Sequence, residues 1–239
     1  MATIENELIA RLPRKDRSRL LAACDDVPLT LKDVLCDPGK PMRYVYFPVE
    51  GFISLVAVVE GSPGVEVGMV GREGLLGAHM ALGEANAPIH SLVQGVGTAR
   101  RISAAGFRRE LAESAALRNG VNRYLYILLS QMSTSAACLR FHLIGPRLAR
   151  WLLMSQDRAD SSSFHLTHEF LAFMLGVRRV GITTAAGRLQ RGGLIEYRRG
   201  ELTIVNRRGL EAAACSCYQM DRTGYTKPVK VPAVGRRLQ

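Results

Sequence analysis

Arg178, Arg179, Val180, Thr183 and Thr184 crowd the start of one short helical segment, and Arg188 and Arg191 follow on the same segment. The chemistry these side chains offer is recognition without bond breaking. A guanidinium is a rigid fork of donors that matches the paired acceptors on the major-groove edge of guanine, a threonine hydroxyl donates or accepts, and a valine can touch a thymine methyl. The first five residues are therefore base-reading candidates. Thr167, Arg188, Arg191, Arg198 and Arg199 are candidates for phosphate oxygens, contacts that fix position on a duplex but carry no sequence information.

Such residues work only if local structure presents them together. The stretch from Leu166 to Asn206 reads as two short helices, a tight turn and a hairpin. Thr167 is an N-cap residue type placed just before the apolar run that opens the first helix. Gly176 sits where the chain must reverse, a position that asks for a positive φ. A second helix is expected from about Arg178 to Gln190, stopped by Gly192-Gly193. Leu171, Leu175, Val177, Ile182 and Ala185 would share a small core, and the small Ala172 lets the two helices approach. Two β-prone runs, Leu194 to Tyr197 and Leu202 to Val205, flank Arg198-Arg199-Gly200-Glu201, which makes a hairpin with an arginine tip. Helix, turn, helix and hairpin in this order form a winged helix whose second helix would enter the major groove.

Charge is segregated with this pattern. The chain of 239 residues carries a formal net charge of +11. Residues 147–239 hold 16 Lys and Arg against 7 Asp and Glu, whereas residues 1–146 hold 16 against 14. A basic excess confined to one segment is the footprint of a nucleic-acid-binding domain rather than of a generally basic surface. The N-terminus has charges throughout and lacks the apolar core of a targeting peptide, and the longest apolar run, Phe52 to Val59, is too short to span a bilayer. Five scattered cysteines suit a reducing compartment, so a cytoplasmic location without membrane contact is expected.

Upstream, residues 4–22 form an amphipathic helix broken by Pro13. From Leu29 to Ser103 short β-prone runs alternate with turn residues: Arg43–Phe47, Gly51–Val59, Gly64–Val70, Ser91–Val96 and Ala99–Ile102. Ten of the 23 glycines lie between Gly51 and Gly97, the texture of a roll or sandwich. From Ala105 the pattern turns helical. Val121, Leu125, Leu128, Met132 and Leu139 follow an a/d spacing, which reads either as a core-facing helix or, preferred here, as a dimer helix of about residues 118–142.

A β-roll, a long helix and a winged helix in this order resemble the Crp/Fnr family of bacterial transcription regulators. The motifs that carry the resemblance are Tyr46-x4-Gly51-Phe52-Ile53, Gly71-x-Glu73-Gly74, the hinge-like Gly145-Pro146-Arg147-Leu148-Ala149 and the winged helix. The resemblance implies an α+β chain with a sensor domain over 1–142, a DNA-binding domain over 143–222 and a basic tail over 223–239, expected to be disordered. It also implies a homodimer on a palindromic site, contact with RNA polymerase and no enzymatic activity. Arg179 matches a base-reading arginine of the family, but Val180 stands where a glutamate is frequent and Thr184 where another arginine is found. The half-site should therefore differ from the familiar ones.

The sensor motifs depart further. Members that bind a cyclic nucleotide use a Gly-Glu pair and an Arg-Ser or Arg-Thr pair, whereas no Lys or Arg occurs here between Arg72 and Arg100. The effector-pocket candidates are Glu73, Gly74, His90 and Ser91, and a neutral imidazole does not replace a bidentate guanidinium on phosphate. Tight cyclic AMP binding is not expected.

No cofactor or metal is expected either. Cys24 and Cys36 are too few for an iron–sulfur cluster. Cys138 reads as a small buried residue. Cys215 and Cys217 are expected on one helix, facing different sides, and nothing specific marks His79 or His90 for haem. Two other functions compete with the regulator: a nonspecific architectural DNA binder, and an enzyme on a β-roll. Residues 29–103 show no nucleophile elbow, phosphate loop or metal-spaced His/Glu set that would support the enzyme.

Overall fold

The computed structural model describes residues 5–61, 64–159 and 161–226. Two short helices, α1 (Glu7–Ala10) and α2 (Arg14–Ala22), precede seven strands: β1 (Asp25–Leu29), β2 (Val34–Cys36), β3 (Tyr44–Pro48), β4 (Phe52–Ala57), β5 (Val65–Val70), β6 (His90–Gly95) and β7 (Gly97–Ser103). They pair antiparallel as two sheets, β1-β7-β3 and β2-β6-β4-β5. The chain is α+β, and this half is the expected roll. The five anticipated runs all became strands. The strands β1 and β2 are additions that the sequence hid. β1 is Asp-Asp-Val-Pro-Leu, a poor strand by propensity. It pairs in a register that sets Asp25 opposite Arg101 and Asp26 opposite Arg100, so cross-strand charge supplies what propensity does not.

Two helices lead out of the roll, α3 (Ala104–Glu113) and the 27-residue α4 (Ala115–Phe141), with Ser103 and Ser114 as their side-chain caps. The winged helix follows: α5 (Ile144–Ala159), β8 (Ser163–His165), α6 (His168–Leu175), α7 (Arg179–Arg191), β9 (Ile195–Arg198) and β10 (Glu201–Ile204), then α8 (Arg207–Ala213) and α9 (Cys217–Thr226). The wing has three strands in the order β8-β10-β9, one more than the sequence suggested. Residues 223–226, assigned from sequence to the tail, are the last turn of α9. The remainder of the expected tail lies outside the described residues.

The winged helix does not stand apart from the roll. Phe52, Val56, Met69 and Leu92 from the roll belong to the same buried cluster as Trp151, Leu171, Met174 and Ile182. Polar groups clasp the same seam. The Arg158 guanidinium donates to Glu73 at 2.8 Å, and Trp151 Nε1 donates to Glu66 at 2.9 Å. Gly176, at φ +61°, closes the turn between α6 and α7, and a Cβ there would come within 3.0 Å of Val65. That residue thus serves the turn and the close approach to β5 together.

Glu66 is half-buried as a residue, yet both carboxylate oxygens are engaged, one by Trp151 Nε1 and one by Ser54 Oγ. Burial dominates and pushes its pKa up from 4.5 to about 7, against the lowering effect of these hydrogen bonds and of Arg150 and Arg158. An acid whose folded pKa is raised favours folding fully below its unfolded pKa and loses that contribution as pH rises through the folded value. Stability attributable to Glu66 should therefore fall between about pH 4.5 and pH 7. Glu66→Gln keeps an acceptor for Trp151 and should flatten that fall, by roughly 3 kcal/mol at most. Urea denaturation at pH 5 and pH 8 reads it; parallel profiles for the two proteins would show that Glu66 stays ionised in the fold.

The residues of the expected dimer seam differ in how far their own chain covers them. Val121 is fully buried in its own roll core, and Leu125, Leu128, Met132 and Leu139 are half-buried against their own chain. Heptad spacing cannot tell a partner helix from a sheet of the same chain: Val121 meets the roll, whereas Leu125, Leu128 and Met132 keep part of their surface open on a cavity between the roll and α4. The large apolar side chains that α4 leaves to solvent among the described residues are Tyr126 (49% exposed), Leu129 (65% exposed) and, as its last residue, Phe141 (74% exposed).

The cysteines need a correction. The helix α8 ends at Ala213 and Ala214 is extended, so Cys215 lies in the connection and Cys217 opens α9. The two do not share a helix, and both are buried against Cys138 near the end of α4.

Candidate nucleic-acid interface

The helix α6 is capped by Thr167, whose hydroxyl accepts from Phe170 N at 3.1 Å, a contact worth ~1 kcal/mol. The chain turns through Gly176 and starts α7 with Arg178 as its N-cap residue. Ile182, Ala185, Ala186 and Leu189 are the buried side of α7. Arg178, Arg179, Val180, Thr183, Thr184, Arg188 and Arg191 are exposed on its other faces. Their common exposure follows from the helical period, because the apolar residues at i, i+3, i+4 and i+7 occupy the core face.

The residues differ in how free they are. The Arg179 side chain is 70% exposed and approaches Glu169 loosely, at 4.0 Å. Val180 is 70% exposed. The Thr183 hydroxyl donates to the Arg179 carbonyl at 3.2 Å and lies 3.0 Å from His168 Nδ1, so it also joins α7 to α6. Thr184 donates to the Val180 carbonyl at 3.0 Å. His168 stacks on Tyr197 with ring centroids 4.7 Å apart, and burial holds its pKa below the usual histidine value. It thereby ties α6 to the wing as a neutral ring. Gly181 has a packing reason to be glycine, since a Cβ there would sit 2.7 Å from Ile144 Cδ1. Gly187 meets no such constraint.

The wing tip is a two-residue turn, Arg199-Gly200, with φ of 51° and 88°. Two successive positive φ values are the hairpin geometry whose twist matches the flanking strands. Arg198 and Arg199 are both exposed there. The turn therefore sets two guanidiniums on the rim of the domain, exposed among the described residues.

The four effector-pocket candidates are not brought together. Glu73 is spent on Arg158, and its residue-level neighbour Gly74 lies beneath Tyr124, whose ring a Cβ would strike at 1.9 Å. His90 Nδ1 faces Asp37 at 2.8 Å. Glu73 lines a charged cleft of about 580 Å³ with Arg72, Arg123, Arg158 and Arg207, and Ser91 borders a separate cavity of about 520 Å³ between the roll and α4, with Cys36, His79, Leu75, Leu125 and Met132 among its other walls. Among the described residues no Asp, Glu, Lys or Arg lines it. Burial pushes the His79 pKa down, so this ring is neutral, and its Nε2 has no hydrogen-bond partner among the described residues. Sequence reading missed this cavity because its walls are ordinary apolar residues whose convergence only the tertiary structure reveals.

The exposed α7, its capped partner helix and the arginine-tipped wing define a winged helix-turn-helix DNA-binding domain carried by a β-roll protein. Residues 146–213 match the family model of the Crp-like helix-turn-helix domain. Among solved structures the chain is similar to FixK2 of Bradyrhizobium japonicum, with 13% identity, a TM-score of 0.67 and coverage of 81% of this chain and 98% of that one. It is similar to the c-di-GMP responsive global regulator CLP of Xanthomonas campestris, with 18% identity, a TM-score of 0.64 and coverage of 80% and 99%. It is also similar to a Crp-family transcriptional regulator of Thermus thermophilus, with 18% identity, a TM-score of 0.65 and coverage of 79% and 96%. No curated protein matches the chain in sequence. The chain has the Crp/Fnr regulator fold, with a Crp-like DNA-binding domain at its C-terminal end. No single helix among the described residues is long and apolar enough to cross a membrane.

Proposed function

We propose that this chain is a cytoplasmic, sequence-specific transcriptional regulator that binds a palindromic DNA site as a homodimer and works with RNA polymerase. The observation that carries the reading is the exposed face of α7, where Arg178, Arg179, Val180 and Thr184 stand beside a wing bearing Arg198 and Arg199. Base-capable groups at the start of the helix supply discrimination, and the outer arginines supply phosphate contacts. Dimerisation through Tyr126, Leu129 and Phe141 of α4 would give these exposed apolar side chains a partner and set two reading heads about one helical turn of DNA apart, ~34 Å. Footprinting on genomic fragments in moderate salt tests this, because specific sites survive salt that strips phosphate-only binding. A protected palindrome is expected, whereas uniform protection would make the chain an architectural binder.

The effector, in this reading, is not cyclic AMP. The cavity between the roll and α4 has hydroxyls, one amide and one neutral imidazole on otherwise apolar walls but no Lys or Arg, so it holds no cation to balance a cyclic phosphate. Titration calorimetry with cyclic AMP on the purified protein should show no binding at micromolar affinity, and a micromolar isotherm would overturn the exclusion.

A further inference from the structure

Near the hinge between α4 and α5, far in sequence from the reading helix, four metal-ligating side chains converge. Cys138 and His142 stand one turn apart at the end of α4, the histidine in the C-cap position. Cys215 reaches them from the connection that follows α8, and Cys217 from the first position of α9. Cys138 Sγ lies 3.5 Å from Cys215 Sγ, and His142 Nδ1 lies 3.5 Å from Cys217 Sγ. All four ligand atoms fall within 4.8 Å of one another, and the three cysteines are buried.

We propose that Cys138, His142, Cys215 and Cys217 bind one zinc ion in a tetrahedral Cys3His site that staples α4 to the segment after the wing. Three thiolates and one imidazole are a preferred structural donor set for this ion. Ligands ~2.3 Å from a tetrahedral zinc stand roughly 3.7 Å apart, so the two 3.5 Å pairs open by a few tenths of an ångström and the pairs within the 4.8 Å limit close by about 1 Å at most. The fourth position is filled by protein, which makes the site closed and structural rather than catalytic. Its surroundings fit as well. Three thiolates leave the complex with a net negative charge, and Arg150, which donates to Ser135 Oγ at 3.1 Å and to Asp221 at 2.6 Å, lines the same cleft as Cys138 and supplies a compensating cation.

The staple has a structural consequence. Cys215 N donates to the Pro146 carbonyl at 3.4 Å, so the ligand loop rests on the first turn of α5, just past the break between α4 and α5 at His142-Leu143. An ion held by both ends of this arrangement limits how far α5 can turn against α4 about that break. The sequence does carry the signal, in Cys138-x3-His142 and Cys215-x-Cys217. Treating Cys215 and Cys217 as residues of one helix conceals it.

The test is metal analysis of the full chain. About one zinc per chain is expected, with at least a tenfold loss in Cys217→Ser and in His142→Ala. The Cys24→Ser/Cys36→Ser double variant, outside the cluster, should keep its zinc. Anaerobic cobalt substitution of the wild-type protein should give thiolate charge-transfer bands and the visible bands of a tetrahedral ion, a readout that does not depend on any variant folding. Wild-type protein with no zinc and no such cobalt spectrum would overturn the proposal. So would iron in place of zinc, or a Cys138–Cys215 disulfide in protein prepared anaerobically with zinc.

Discussion

Arg158→Met should destabilise the protein by about 3–5 kcal/mol, with the loss centred on the seam between the roll and the winged helix. Arg158 is 6% exposed, and its guanidinium serves both Glu73 at 2.8 Å and the Met154 carbonyl at 3.1 Å. Methionine replaces most of the apolar stem but leaves the Glu73 carboxylate in a buried place with its main cation gone. The cost of breaking such a pair comes chiefly from that stranded charge and not from the lost attraction. A Glu73→Leu substitution added to Arg158→Met should therefore restore much of the loss, although Glu73 alone also accepts from Gly71 N at 3.2 Å. Chemical denaturation of the two single variants and the double variant gives the coupling. If the double variant is no more stable than Arg158→Met, the pair is not what holds the seam. Gly71 belongs to the same packing, since a Cβ there would stand 2.7 Å from Arg158 Cγ. The Gly71-x-Glu73-Gly74 motif, read from sequence as part of an effector pocket, is thus occupied in this fold by contacts between domains.

Which parts were legible in the sequence follows from the range of the interaction that fixes each one. The cap at Thr167, the turn at Gly176 and the helical period of α7 are decided by residues a few positions apart, and these features appear in the structure where local rules put them. The strand β1 depends on Arg100 and Arg101, some seventy-five positions away, and so does not announce itself. The facing of α4 is undecidable from spacing alone, because Val121, Leu125 and Leu128 fit a partner helix and the roll equally well. The His79 cavity and the Glu66 clasp have no local signature: each needs side chains from segments that only the completed fold brings together. The cysteine cluster is intermediate. Each half has a readable spacing, but a helix break at Ala214 decides whether the halves can meet.

Arg179→Ala should relax base discrimination at one position of each half-site by ~1–3 kcal/mol and leave nonspecific affinity little changed. The side chain stands in the first turn of α7, and its loose approach to Glu169 at 4.0 Å is across solvent, so it can turn toward a guanine edge at small cost. Arg199→Ala provides the contrast. At the wing tip its guanidinium lies beyond the groove-reading face, where a phosphate contact should weaken all sequences alike and lower the salt slope by about one per contact. Because φ at Arg199 is 51°, a neutral replacement carries the same left-handed backbone strain, and Arg199→Gly removes that strain together with the charge. Competition binding with single-base variants of the footprinted site, repeated over a range of salt, separates the two roles. Should Arg179→Ala weaken every sequence equally and change the salt slope, Arg179 would be a phosphate contact, and discrimination would have to come from Arg178, Val180 and Thr184.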